Sequence, residues 1–349
     1  MQISFTPEFA ARLEADLQLK GQGLHNPHGG GNTYALEREL DEDMLLTSVG
    51  WVNGYYQDGY QEVESYQDEW GVTWKTIEYT TPFGKGKYTE PYGHPLAEQD
   101  SLESYAPPDP LRPALYTEAE RVLQSYQDEY WIVGVTPTTI FETAWALRGL
   151  KQLIMDMAGD PARADAVLDI PFHYHKTVTQ QLVKRGVDMI WLGDDVGGQK
   201  TMLMSPKMWR TYLKPRMAEL ITCLRAINPQ IKIAYHTDGV VFPIIPELIE
   251  IGIDILNPIQ PMAMDPVRLK KEFGDRMCFW GSMDIQQTLP FGTPEDVHNE
   301  VLLRLKTIGR SGGLIIGPTH NVQLDTPLEN FWSMIHTVQE TSYREQNSK

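Results

Sequence analysis

Two imidazoles and one carboxylate stand out as a ligand set: His236 and Asp238, one residue apart, and His320 far downstream. Such a set suits a catalytic Zn²⁺ that keeps one coordination position open for water or substrate. The alternative is a pair of hydrogen-bonded histidines with no metal, because a single His-x-Asp is a common spacing. Asp194-Asp195 adds two carboxylates that can act as a general base, orient a ligand imidazole, or anchor the start of a helix. Gln199 and Lys200, on the next loop, can bind a substrate carboxylate or face water. Asn257, Gln260, Asp284 and Gln323 offer further polar groups for substrate. So do Glu69 and Trp70, in a stretch where Trp70, Trp74, Tyr88 and Tyr92 can stack on a sugar or an aromatic ring or pack in the core. His173 and His175 face different directions of a helical stretch and read as structural. His25 and His28, in the Gly-rich segment 21–33, read as loop residues rather than ligands.

These side chains can cooperate only if the backbone brings them to one place. His236 and Asp238 follow Ile231-Lys-Ile-Ala-Tyr235, an apolar run that alternates as a strand does. From Tyr116 onward, strands and helices alternate. Strands are expected at 131–135, 187–192, 231–235, 253–256, 276–280 and 313–316. Helix starts are marked by Ser205-Pro206, Asp265-Pro266 and Thr293-Pro294, with capping patterns at 117–120 and 326–329. A long helix is expected to about Met157, and another, with breaks, from Asp160-Pro161 to Arg185. The strands are apolar on both faces, which requires a parallel sheet covered by helices. Each strand gives way to polar residues: Thr136, then Asp194 and Asp195, His236 and Asp238, Asn257 and Gln260, Ser282 and Asp284, and His320 with Asn321 and Gln323. Turn chemistry accounts for one such ending. A whole series of them indicates a single rim, as in a TIM (β/α)8 barrel. A doubly wound open sheet is the runner-up, but no Gly-rich phosphate loop comes after an early strand.

Residues 1–110 read as an N-terminal extension and capping loops integrated with the barrel, whose main body is 111–349. Thr6-Pro7 opens an amphipathic helix over 6–20, and the Tyr-, Trp- and Gly-rich stretch 45–110 reads as strands and long loops folded over a pocket. The formal charge is −17, from 30 basic and 47 acidic residues with no basic block, which argues against nucleic acid or an anionic membrane as partner. Two cysteines, Cys223 and Cys278, are too few for a disulfide framework and sit in apolar stretches. No signal peptide and no long apolar run is seen, so a soluble, cytoplasmic protein is expected.

With these residues in hand, the chain resembles the uroporphyrinogen decarboxylase superfamily, and within it the branch of cobalamin-dependent (corrinoid) methyltransferases. The resemblance runs from about Asp68 to the C-terminus. It is carried by Asp68-Glu-Trp-Gly71, Gly193-Asp-Asp-x-Gly-x-Gln199, His236-x-Asp-Gly239 and Gly252-x-Asp-x-Leu-Asn-Pro258. Phe279-Trp-Gly-Ser-Met-Asp284, Leu289-Pro-Phe-Gly-Thr-Pro294 and His320-Asn-Val-Gln323 complete it. It implies a TIM barrel with its site at the carboxyl rim. Two departures carry weight. The decarboxylases hold the tetrapyrrole carboxylates with an Arg-rich N-terminal motif, whereas only Arg12 and Arg38 precede Asp68 here. The methyltransferase branch holds zinc with a His-x-Cys pair and a later Cys, where this chain has His236, Asp238 and His320. Imidazole and carboxylate make a harder, more Lewis-acidic zinc, suited to an oxygen donor rather than a thiol. The resemblance thus implies methyl transfer from a small O-methyl substrate, with Asp194 or Asp195 assisting proton movement. No D-x-H-x-x-G motif is present, so cobalamin would come on a separate corrinoid protein. A metal-independent decarboxylase of a carboxylic acid and a non-catalytic ligand-binding barrel are the alternatives.

Overall fold

The computed structural model describes residues 1–20, 25–48, 64–98, 102 and 104–341. The rest of the Gly-rich segment (21–24) and of the aromatic segment (49–63, 99–101 and 103) lies outside the described residues. The strands are β1 (Met44–Ser48), β2 (Ser65–Gln67), β3 (Thr73–Thr81), β4 (Gly84–Gly93), β5 (Trp131–Thr136), β6 (Met189–Gly193), β7 (Lys232–His236), β8 (Ile255–Asn257), β9 (Cys278–Met283) and β10 (Leu314–Pro318). Seven of them form one sheet, in the order β1-β5-β6-β7-β8-β9-β10, and every neighbouring pair is parallel. Helices fill the crossovers, as parallel pairing of consecutive strands demands. The stretch Met1–Phe5 spans the gap between the two edge strands. Gln2 donates its N–H to the Ile316 carbonyl (3.2 Å), Phe5 bridges Val322 in parallel, and the Met1 carbonyl accepts from Asp43 N–H (3.1 Å). The barrel expected from the strand-end pattern is therefore present, with an irregular N-terminal stave.

Inside the curled sheet, Met44, Leu46, Val133, Val135, Met189, Trp191, Ala234, Ile255 and Trp280 form a closed plug. A larger cluster packs the opposite sheet face against the helices. A third joins the helix Pro7–Asp16 to the last helix, Leu328–Glu340, through Phe5, Phe9 and Phe331. Full burial of each such ring contributes about 1.5–3 kcal/mol.

Several local expectations change. β1 lies within 1–110, so the barrel begins before residue 111. Helix Pro161–Arg185 runs without a break through Pro171. Its long buried face, from Ala164 to Val183, outweighs the roughly 3 kcal/mol cost of an internal proline. The stretch that opens at Ser205-Pro206 forms two helices, Pro206–Tyr212 and Lys214–Ile227, because Pro215 removes a donor at the junction. Thr117 makes no capping box, since a 3₁₀ turn (Pro113–Tyr116) runs directly into its helix. The last helix is capped by Pro327 without a side-chain bond. Thr6, Ser205, Asp265 and Thr293 do cap their helices through side-chain oxygens. The antiparallel sheet β2-β3-β4 is the strand-rich cover expected of the aromatic segment.

Candidate active site

The register of the sheet sets His236 beside Gly193 on one side and Asn257 on the other. The loops after β6 and β7 then meet backbone to backbone. A Cβ on Gly197 would lie 2.2 Å from the Asp238 carbonyl oxygen. One on Gly239, which has φ +78°, would lie 2.5 Å from that of Gly198. Only glycine permits this approach. It allows Asp238 to donate its N–H to Asp195 Oδ1 (2.7 Å) and Val240 to donate to Gly198 O (2.9 Å).

One ligand atom from each of His236, Asp238 and His320 lies within 4.8 Å of the other two. The two imidazole centroids are 6.1 Å apart, and His236 stands edge-on to Trp191 at 5.4 Å. His236 Nδ1 is 2.6 Å from Asn257 Oδ1, which leaves Nε2 as the open nitrogen, 3.8 Å from Asp195 Oδ1. Asp238 Oδ1 is buried and has no hydrogen-bond partner among the described residues. Burial raises the Asp238 carboxyl above its ordinary value; the two imidazoles pull it down, and Asp195 pushes it up again. An orphaned carboxylate oxygen beside an oriented imidazole is an environment that a divalent cation satisfies. Tetrahedral zinc would draw the three donors to about 3.4 Å from one another. The donor types and their separation fit that group.

A cavity of about 390 Å³ opens at this rim, with Trp74, Tyr88, Trp145 and Trp191 on its walls and Asp195, His236, Asn257 and His320 among its polar groups. Asp238 does not line it. No Lys or Arg lines it either among the described residues, and the internal segments outside them (21–24, 49–63, 99–101 and 103) contain none.

Two titratable residues of its lining escaped the sequence reading. His28, assigned to a loop, reaches the cavity because Asn26 and Asn32 tie that loop with reciprocal bonds of 2.8 and 2.9 Å. Gly29 presses the same loop against β1, where a Cβ would lie 1.7 Å from Leu46 O. Burial, with His320 and His236 nearby, pushes the His28 imidazole down to about 3. The signal was the Asn pair bracketing the glycines. Glu142 also lines the cavity, from the first turn of helix Phe141–Arg148. A carboxylate within Phe-Glu-Thr-Ala-Trp-Ala-Leu was the available clue.

Other candidates hold structure rather than line the cavity. Asp194 is 1 % exposed and accepts N–H bonds from Ile140 (2.9 and 3.0 Å) and Glu142 (2.8 Å). It anchors the helix before it in the chain, not the one after. Burial pushes its carboxyl up to about 8, against the pull of those N–H groups. Gln260 Oε1 accepts from Gly239 N–H (2.8 Å), and Asp284 Oδ1 from Gln286 N–H (2.8 Å). Gln199 and Gln323 are exposed and outside the cavity lining. Glu69 pairs with Arg112. Trp70 is 1 % exposed and packs on Tyr174 at 4.7 Å, so it belongs to the core. The Asp68-Glu-Trp-Gly motif is instead a turn. Asp68 accepts from Trp70 and Val72 N–H (both 2.9 Å) and from Trp74 Nε1 (2.7 Å), which orients Trp74.

Residues 79–341 match the family model described as uroporphyrinogen decarboxylase (URO-D). The chain is 26% identical over 210 residues to a methylated-thiol–coenzyme M methyltransferase of Methanosarcina mazei, covering 58% of this chain and 52% of that one. It is 26% identical over 164 residues to a uroporphyrinogen decarboxylase of Chlorobaculum tepidum, covering 46% of this chain and 44% of that one. It thus spans about half the length of the curated relatives it matches. A solved structure titled methyltransferase from Methanosarcina mazei superposes with a TM-score of 0.66 at 20% identity, covering 89% of this chain and 84% of that chain. That likeness is one of fold. The family match over most of the chain, with a TIM barrel and a polar carboxyl rim, places this protein in the uroporphyrinogen decarboxylase (URO-D) family.

Proposed function

We propose that this chain is a metal-dependent methyltransferase that takes a methyl group from a small O-methyl substrate and passes it to a corrinoid protein. The observation that carries this reading is the convergence of His236, Asp238 and His320 at the mouth of a barrel of this family. Zinc held by that set would supply Lewis-acid polarisation of the substrate oxygen. Asn257 fixes the His236 ring so that Nε2 faces the site. Asp195 holds the Asp238 backbone through its N–H and is the member of the Asp194-Asp195 pair that reaches the cavity. The tryptophans of the wall offer flat apolar faces to a ring-shaped substrate and exclude water from it. Neither Cys223 nor Cys278 lines the cavity, consistent with an oxygen rather than a sulfur donor. The cobalamin acceptor would arrive on a partner protein. Among the described residues the walls offer a polycarboxylate no Lys or Arg counter-charge, which weighs against a decarboxylase acting on such a substrate.

The test combines metal analysis of the purified protein with methyl transfer to Co(I) cobalamin from a panel of methoxylated compounds. Bound zinc, and transfer abolished by chelation and by His236→Ala, are expected. Turnover of a carboxylic acid that chelators leave untouched would replace this reading with the decarboxylase. Tight binding without turnover would leave a ligand-binding barrel. No described helix is long and apolar enough to cross a membrane.

A further inference from the structure

We propose that Glu142 is the proton donor to the oxygen that loses its methyl group; this rests on the methyltransferase reading above. Three carboxylates meet beside the ligand set: Glu142, Asp194 and Asp195. Among the described residues no Lys or Arg lines the cavity they adjoin. Like charges held this close in a poorly solvated site cannot all ionise, so the cluster retains a proton. The hydrogen bonds decide where. Both oxygens of Asp194 accept backbone N–H groups at a helix start. Asp195 accepts the Asp238 N–H and lies 3.8 Å from His236 Nε2, so its side chain is turned to the ligand loop. Glu142 accepts a single bond, from Asp195 N–H to Oε2 (3.1 Å). Its other oxygen has no partner among the described residues, and the side chain lines the cavity. Burial, then Asp195 and Asp194, raise this carboxyl well above the ordinary range.

A carboxylic acid in that position has a task in methyl-ether cleavage. The C–O bond breaks with its electron pair left on oxygen. The new bond to the methyl carbon is formed by the electron pair of the corrinoid nucleophile. The Glu142 proton passes to the departing oxygen to release an alcohol or phenol, and the carboxylate is reprotonated from water through the open cavity. Asp195 is then the positioning neighbour, whose N–H holds Glu142 Oε2.

Leaving-group dependence is the test. Methyl transfer to Co(I) cobalamin is measured with methoxybenzene and with 4-nitromethoxybenzene, whose phenolate leaves without help. The comparison covers wild type, Glu142→Gln and Glu142→Asp, with zinc content and melting temperature as controls. Glu142→Gln keeps an acceptor for Asp195 N–H and should fold and hold metal. It should lose about 10²–10⁴-fold with methoxybenzene and less than about tenfold with the nitro compound, and Glu142→Asp should fall between. An equal loss with both substrates, or no loss, overturns the inference while leaving the function intact. Wild-type protein that demethylates neither compound overturns it together with the reading on which it rests.

Discussion

Two of the tryptophan–histidine pairs in this molecule lie in very different surroundings. At the rim, His236 stands edge-on to Trp191, with one ring nitrogen tied to Asn257 and the other open beside Asp195. Behind the β2-β3-β4 sheet, His175 stacks on Trp70 at 6.1 Å, is 0 % exposed, and among the described residues has a partner on neither nitrogen. The residue types are the same and the chemistry is opposite. An imidazole becomes a ligand when a neighbour fixes its tautomer and leaves a lone pair facing a cavity. Buried without partners it is a packing group, and burial pushes it down to about 3. The contrast also explains why Trp70 is not a substrate contact. Its ring fills the wedge between the turn at Asp68 and helix Pro161–Arg185, whereas Trp74, four residues on, is turned into the cavity.

Substitutions in the two pairs should separate stability from chemistry. Trp70→Ala should have the largest effect, costing about 3–5 kcal/mol of unfolding free energy in urea, as large-to-small changes in a packed core do. Folded molecules of that variant should keep their metal. His236→Ala should do the reverse: stability close to wild type, with metal affinity and methyl transfer each down by more than about 10²-fold. Equal metal content in wild type and His236→Ala would dissolve the distinction between the two pairs. Asn257→Ala should weaken metal binding by about 10–100-fold, as loss of an orienting partner does, read by competition with a chromophoric chelator.

The subtlest test uses pH. His175 titrates near 6.5 when unfolded and near 3 when folded, so the unfolded chain takes the proton first. Its contribution to stability is complete above about pH 6.5 and is lost as the pH falls toward 3. Between about pH 8 and pH 5 that loss is about 2 kcal/mol. His175→Phe should therefore have a flatter acid limb than wild type by that amount, whatever its stability at neutral pH. Parallel limbs would mean that His175 is not held neutral.

Much of this organisation was legible in the residues alone. Apolar runs of strand length, each ending in polar groups, implied a parallel barrel with one chemical rim, and His236, Asp238 and His320 do converge there. The legible part depends on local pattern, because strand burial and helix capping leave their marks within a few residues. Less legible was the division of labour among neighbours. Asp194 and Asp195 are adjacent and identical in type. One faces the preceding helix and the other the cavity, since successive side chains leaving a strand end point in opposite directions. Gln260 and Asp284 have the residue types of polar rim groups, yet in the fold they hold loop backbone.

By itself, then, the sequence determined the alternation of strands and helices, the polar strand ends and the residue types offered by the His236, Asp238 and His320 group. Those come from periodicity and residue chemistry, which are local properties of the chain. Only the tertiary structure decided that Met1–Phe5 fills the gap in the barrel, that a glycine-rich loop delivers His28, and that Glu142 joins the carboxylates of another loop. These are meetings of segments separated by tens to hundreds of residues. Backbone contacts and shared burial select them, and neither leaves a periodic trace in the residues concerned.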